Sequence, residues 1–259
     1  MRLDKYLSNR GFGTRTEVKK LIKSGAVFVS GVPVRDAGFS LQTDQLKEGM
    51  SVVVQGKEVV YKPYRYYMLY KPAGVLTATE DKKEKTVMDL LPFSVSEKRR
   101  LFPVGRLDMD TEGLVFITDN GNLAHRLLSP KKHEDKCYFA VIEGIVTEED
   151  VRKFAEGLEL SFRALPAKLE IIEVDEKKNE SRIEVTIQEG KYHQVKRMFG
   201  AVGKKVLYLK RISMGGLVLD EKLKPGEFRE LCEKEIVLLE TGGRDEPFKK
   251  NSVKKLQKI

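Results

Sequence analysis

The sequence predicts an α+β protein: a small N-terminal helix–helix–strand module followed by a larger domain built on a mixed sheet. Three observations lead there. Strand-like apolar runs outnumber helical patterns and do not alternate strictly with them, which argues against a parallel βα repeat. The stretch "YKPYRYY" (61–67) holds a proline that favours an extended or turning link, so a boundary falls beside it. Charge is also segregated: residues 1–62 carry a net +5, 63–240 are balanced, and 241–259 carry +4. The expected division is a module over 1–61, a domain over 64–240 and a flexible basic tail over 241–259.

Each element follows from local pattern. In "RLDKYLSNRG", Leu3, Tyr6 and Leu7 recur at helical spacing and Gly11 marks the stop. In "GTRTEVKKLIKSG", Thr14 and Glu17 form a capping box, Val18, Leu21 and Ile22 form an apolar stripe, and Gly25 ends the helix. Arg15, Lys19 and Lys23 occupy its other face. "AVFVSGVPV" and "MSVVVQGKEVVY" are β-branched runs broken by Gly and Pro, hence hairpin-like strands. Further on, "YYMLYKP", "GLVFIT", "CYFAVIEG", "KLEIIEV", "SRIEVTIQEG", "KVLYLKRI" and "GGLVL" predict strands. "NLAHRLLS", "TEEDVRKFAEGL" (Thr147 cap; Val151, Phe154, Ala155 and Leu158 on one face) and "YHQVKRMFGAVG" predict helices.

The 259 residues, 41% hydrophobic and 34% charged, suffice for a small and a large domain with real cores. The longest apolar runs are too short to span a bilayer, and the polar start lacks a signal peptide's apolar core. The expectation is a cytoplasmic chain with no membrane partner. Cys137 and Cys232 lie far apart without metal-ligand spacing, so two reduced thiols and no zinc site are expected. The basic ends suit a polyanion such as nucleic acid, or an ordinary solvated surface; charge alone leaves both open.

The chemistry concentrates in "PVGRLDMDTEGLVFITDNG" (103–121), where Arg106, Asp108, Asp110, Glu112 and Asp119 stand among apolar residues and glycines. On an extended segment Arg106 and Asp108 project to the same side. Together with "KCYFAVIEG" and "EGKYHQVKRMFGAVGKKVLYLKRISMGGLVL", this stretch resembles the RNA pseudouridine synthases, most closely the branch of ribosomal small subunit pseudouridine synthase A. Residues 1–61 resemble the S4-type RNA-binding domain that this branch carries at its N-terminus, and the resemblance covers nearly all of 1–240.

The resemblance implies a reaction. Such enzymes cut the bond between uracil and ribose, turn the base and rejoin it through a ring carbon. The family's essential Asp maps onto Asp108. A carboxylate beside the anomeric carbon can attack it or take a proton from the neighbouring sugar carbon, and both routes stay open. A glycoside hydrolase normally needs two carboxylates, whereas an isomerase must exclude water, so one Asp in a closed apolar pocket is expected.

The resemblance also assigns partners to Asp108. Tyr138 aligns with the family's active-site tyrosine, able to stack on an extruded uracil and assist a proton step. Lys196 aligns with the basic residue that pairs with the catalytic Asp, where many members carry Arg. Arg106 would fill the gap left by the extruded base or hold a phosphate, the alternative being a structural ion pair. Arg197, about 100° round the helix from Lys196, is expected towards phosphate, and His193 and Gln194 along the RNA path. Arg15, Lys19 and Lys23 are the expected RNA contacts of the first module. Asp110 and Glu112 match no family role and are expected as positional or surface carboxylates. Asp119, in "TDNG", is expected to shape a turn. His125 and His133 receive no role, and the aromatics of 65–70, before Lys71 and Pro72, are expected in the core.

The function so implied is isomerisation of a specific uridine in ribosomal RNA, most directly in the small subunit. The alternatives are the same reaction on large-subunit RNA, a non-catalytic ribosome-assembly factor, and nucleoside hydrolysis. Ribosomal RNA or an assembly intermediate is the expected partner of a monomer. No metal or other cofactor is expected, as the chemistry is redox-neutral and no glycine-rich phosphate loop is present.

Overall fold

The structure is a computed structural model that describes residues 1–47, 50–59, 63–129 and 134–241. Nearly all of the expected tail, and His133, lie outside the described residues. The chain divides into two compact units: Met1–Tyr64 with Pro92–Arg100, and Arg65–Leu91 with the residues from Leu101 onward.

In the first unit, α1 (Leu3–Ser8) buries Leu3, Tyr6 and Leu7. Helix α2 (Arg15–Lys23) starts at the expected capping box: Glu17 N–H donates to Thr14 Oγ1 at 3.3 Å, and Thr14 N–H donates to Glu17 Oε2 at 2.7 Å. Val18 and Ile22 pack inward from it. Then come β1 (Val27–Val29), β2 (Val32–Pro33), α3 (Thr43–Lys47), β3 (Val52–Val54) and β4 (Lys57–Glu58). The strands form an antiparallel sheet in the order β2-β1-β3-β4. Tyr6 donates its hydroxyl to Val59 O at 3.1 Å and so ties the first helix to the end of the sheet. Helix α3 was not foreseen; five residues are too few to show a period. The short α4 (Val95–Lys98), capped by Ser94 and Glu97, also belongs to this unit.

The second unit is a nine-stranded mixed sheet. Its strands are β5 (Tyr66–Lys71), β6 (Phe102–Val104), β7 (Glu112–Thr118), β8 (Lys136–Glu143), β9 (Lys168–Asp175), β10 (Glu180–Ile187), β11 (Lys205–Met214), β12 (Leu217–Val218) and β13 (Phe228–Glu230). The order is β13-β5-β7-β11-β8-β10-β9, with β6 on β7 and β12 on β11. Only the β7–β11 pair among these is parallel. Central strands β5 and β7 are buried along nearly their whole length, which is why they read as continuous apolar runs. Strand β10 buries Ser181, Ile183, Val185 and Ile187 and turns the residues between them outward, the period of two expected of a half-covered strand.

Helices α5 (Gly121–Leu128), α6 (Glu148–Glu156), α7 (Gln194–Ala201) and α8 (Glu233–Thr241) complete this unit; α8 was not foreseen. Asp119 does not shape the turn before α5. It accepts from Arg65 N–H at 2.7 Å and from Arg65 Nε at 3.1 Å, joining the start of β5 to the end of β7, while Asn120 caps the helix. Tyr66 and Tyr70 of β5 are core as expected, while Tyr67 is half-buried; Tyr66 stacks on Phe116 with centroids 6.2 Å apart. The parallel contact of β7 with β11 demands Gly113. It sits at φ +105°, and a Cβ there would lie 2.2 Å from Arg211 O.

Candidate active site

Asp108 stands in the loop between β6 and β7, and the backbone on either side of it is clamped. Buried Thr77 accepts from Leu107 N–H at 3.1 Å and donates its hydroxyl to Leu107 O at 2.9 Å. Lys71, wholly buried at the end of β5, donates to Pro72 O (3.0 Å), Met109 O (3.1 Å) and Thr111 O (2.7 Å). Burial pushes the Lys71 ammonium down to about 8, against the pull of Asp110, Glu112 and Asp108. Gly74 N–H adds a bond to Met109 O at 2.8 Å. Leu107 is therefore buried beneath the cleft that Asp108 faces. Sequence reasoning missed Lys71 and Thr77 as supports of this loop. The available signal was a lysine closing an otherwise apolar strand, "YYMLYK".

The cleft brings together most of the expected residues. Arg106, Asp108, Tyr138, His193, Gln194 and Lys196 all line it. Tyr138 comes from β8, and its hydroxyl has no hydrogen-bond partner among the described residues. Lys196, from the first turns of α7, places Nζ 3.5 Å from Asp108 Oδ2. His193 precedes that helix in the left-handed region, φ 50°, with Nε2 3.6 Å from Asp108 Oδ1. Exposed Tyr192 stacks on the His193 ring at 3.8 Å. Arg106 is exposed and makes no ion pair among the described residues, so the structural pairing considered for it is not found there.

Several expectations need correction. Lys196 reaches Asp110 first, at 2.6 and 2.7 Å, and Asp108 only second. The hydrogen bond from Lys196 holds the Asp110 carboxyl below the usual range. Glu112 takes the positional role of the two expected for it, accepting from Tyr208 OH at 2.9 Å and Tyr70 OH at 3.3 Å. Gln194 is buried, accepting from Lys191 N–H at 3.0 Å and donating to Glu189 at 2.8 Å; its amide is committed to the loop before α7. Arg197 is not among the cleft residues; it bonds Ser161 Oγ and lies 5.0 Å over the Phe162 ring. Arg15 bonds Asp4 through Nη2 while its side chain stays half exposed, and Lys19 and Lys23 are exposed. The closed apolar pocket is also absent. Asp108 keeps 28% of its side-chain surface exposed, and cations rim the cleft above a floor that includes Leu107, Ile187 and Leu209.

The cleft thus offers one clamped carboxylate, a tyrosine with a free hydroxyl and several cations, and another module is joined to it in the same chain. Such a constellation fits an enzyme acting on a nucleic acid. Comparison with known proteins agrees. Residues 65–201 match the family model described as RNA pseudouridylate synthase, and residues 1–46 match the S4 domain. An uncharacterized RNA pseudouridine synthase of Bacillus subtilis is 48% identical over 246 residues, covering 92% of this chain and 98% of that protein. Ribosomal small subunit pseudouridine synthase A of Vibrio parahaemolyticus is 44% identical, covering 91% of this chain and 98% of that one. The Escherichia coli K12 protein of the same name is 39% identical with the same coverages. A crystal structure described as a pseudouridylate synthase superposes with TM-score 0.62 at 35% identity, covering 92% of this chain and 99% of that one. The chain belongs to the RNA pseudouridine synthases, as an enzyme that converts uridine in RNA to pseudouridine behind an N-terminal S4 domain. Among the described residues no helix is long and apolar enough to cross a membrane.

Proposed function

We propose that this enzyme isomerises one uridine of small-subunit ribosomal RNA in the cytoplasm, as a monomer and without a cofactor, with Asp108 as the reacting carboxylate. The observation that carries the reading is the state of Asp108. Its backbone is fixed, its carboxylate lies in a cleft with Tyr138, and its nearest basic side chains, Lys196 and His193, stand off at 3.5 and 3.6 Å. At that range the two basic side chains leave the carboxylate oxygens unengaged. Both attack on C1′ and removal of the C2′ proton need such a free carboxylate. The relatives named for the small subunit, 39–44% identical over nearly their whole length, support the choice of RNA.

In this reading Tyr138 stacks on the extruded uracil, Lys196 and His193 flank the Asp108 carboxylate and orient it, and Arg106 meets phosphate or fills the vacated stack. The open cleft means that the bound nucleotide itself provides the cover that keeps water out. Lys19 and Lys23 supply sequence-independent attraction to RNA.

The test uses ribosomal RNA from a strain lacking the gene, treated with the protein and mapped by reverse-transcription stops at carbodiimide-labelled pseudouridine. One new stop in small-subunit RNA is expected, and Asp108→Asn should lower its rate of formation about 10⁴-fold with RNA binding retained. A stop in large-subunit RNA would move the substrate, free uracil would indicate hydrolysis, and an active Asp108→Asn would refute the assignment.

A further inference from the structure

Among the described residues, two buried side-chain polar atoms lack a hydrogen-bond partner: Arg211 Nη2 and Thr111 Oγ1. Buried polar atoms are nearly always paired, so each exception calls for a cause. Both belong to the same region. Thr111 lines the Asp108 cleft, and Arg211 lines an adjoining cavity of about 420 Å³ that shares Arg106, Tyr138, Gly190 and Lys191 with it.

The adjoining cavity has an unbalanced charge. It is lined by Arg106, Lys136, Arg163, Lys191 and Arg211 against the single carboxylate of Glu189. Glu189 is taken by Lys191 at 2.7 Å, and Arg163 is taken by Glu159 at 2.8 Å. Arg211 is 1% exposed, and its one hydrogen bond runs from Nε to Leu114 O at 2.8 Å. Lys136 is 8% exposed and donates only to carbonyls, Glu134 O at 2.7 Å and Gln188 O at 3.5 Å. Neither makes an ion pair among the described residues. Burial and the charge of Arg211 push the Lys136 ammonium down, against the weaker pull of Glu134 and Asp135. Buried cations without a counter-ion are costly, and proteins keep such arrangements mainly at functional sites.

We propose that Arg211 and Lys136 form the anion site that receives the uracil ring while it is detached from its ribose. When the N1–C1′ bond breaks, both electrons leave with the ring, whose negative charge spreads over N1, O2 and O4. The ring then bonds to C1′ through C5, and the C5 proton is replaced by one on N1, so no atom is gained or lost. This charge exists only between the two bonds. Donors aimed at it lower the barrier without tightening substrate binding. A phosphodiester stays on the RNA strand and can reach exposed Arg106. A guanidinium buried like that of Arg211 is reached by the part of an extruded nucleotide that enters first, its base.

The inference rests on the reading that uridine is cleaved at Asp108, and its test separates the two. For Arg211→Gln the single-turnover rate should fall about 10²-fold, as for loss of one oxyanion donor, with RNA affinity unchanged. The loss should shrink when N1–C1′ cleavage is read on RNA carrying 5-fluorouridine, whose ring leaves as a weaker base but carries fluorine where the C5 proton would be lost, and Arg211→Lys should recover part of the rate on uridine RNA. Equal losses on both RNAs, matched by a loss of affinity, would make this a phosphate site; an unchanged rate would make Arg211 structural. Lys136→Met gives the same readouts if Arg211→Gln fails to fold in a thermal melt. Barbiturate, a pyrimidine that is anionic at neutral pH, should bind the protein more tightly than neutral uracil or inorganic phosphate. That preference should vanish in Arg211→Gln, and tighter phosphate binding would overturn the proposal. Asp108→Asn should keep barbiturate binding while losing turnover. Turnover by that variant would sink the role of Asp108 and leave the anion site standing.

Discussion

Two carboxylates in this molecule each face two basic side chains, with opposite outcomes. Asp4, in the first unit, is wholly buried and accepts four bonds of 3.0–3.2 Å from Arg2 and Arg15. Burial pushes its carboxyl up, and the bonds from the two arginines outweigh that and hold it below the ordinary range. Asp108, in the second unit, is partly exposed, and its basic neighbours stand at 3.5 and 3.6 Å. The first carboxylate is saturated and spends its charge on holding a helix pair together. The second is held through its backbone rather than its oxygens, which stay available. Saturation marks a structural ion cluster; a fixed but unengaged acid beside unpaired buried donors marks a reactive one.

The largest effect that sharpens this contrast is expected at Lys71. Replacing it by Met removes the donor shared by Pro72 O, Met109 O and Thr111 O, and lets the loop that presents Asp108 shift. A displacement of the order of 1 Å costs about 10²-fold in rate, so single-turnover pseudouridine formation should fall by that much with RNA affinity retained. A Lys71→Met enzyme of normal rate would show that the clamp does not position the acid.

Next in size is Asp4→Asn, which should do the reverse. Losing hydrogen bonds to a charged group should cost the first unit about 1.5–3 kcal/mol in a denaturant melt, while the chemical step on bound RNA is untouched. Native Asp4 holds its proton less tightly than the unfolded chain does. Its contribution is therefore fully present above the unfolded pKa of about 3.9 and is lost as pH falls through the lower native value. Titrating stability from pH 6 to 3 should show this loss in the wild type and a flatter curve in Asp4→Asn. Equal slopes would deny Asp4 its role.

The same contrast explains which features are legible in the sequence. The capping box at Thr14, the cap at Thr147, the alternation along β10 and the motif around Asp108 are local, fixed by residues a few positions apart. The residues missed act across distance: Lys71 on a loop 38 and 40 positions away, Thr77 on Leu107 30 away, and Arg211 on Leu114 97 away. No periodicity reports such pairs, since strand order and register create them. A weaker signal was present in the strands themselves: Lys71, Lys136 and Arg211 all sit in β-strands and all are buried. A charge inside an apolar strand has to be compensated by something, and here that is a clamped loop or a ligand.

The smallest expected effect concerns Asp110, which the sequence left as a bystander and which the structure makes the nearer partner of Lys196. Its side chain is 72% exposed, so the pair is worth about 0.2–1 kcal/mol. Asp110→Asn should therefore change the single-turnover rate by less than about fivefold. It also frees Lys196 Nζ to close on Asp108, which would bring the second carboxylate towards the saturated state of the first. A modest fall in rate with unchanged RNA affinity fits that movement. A loss as large as that of Asp108→Asn would transfer the chemistry to Asp110, because no exposed ion pair can account for four orders of magnitude.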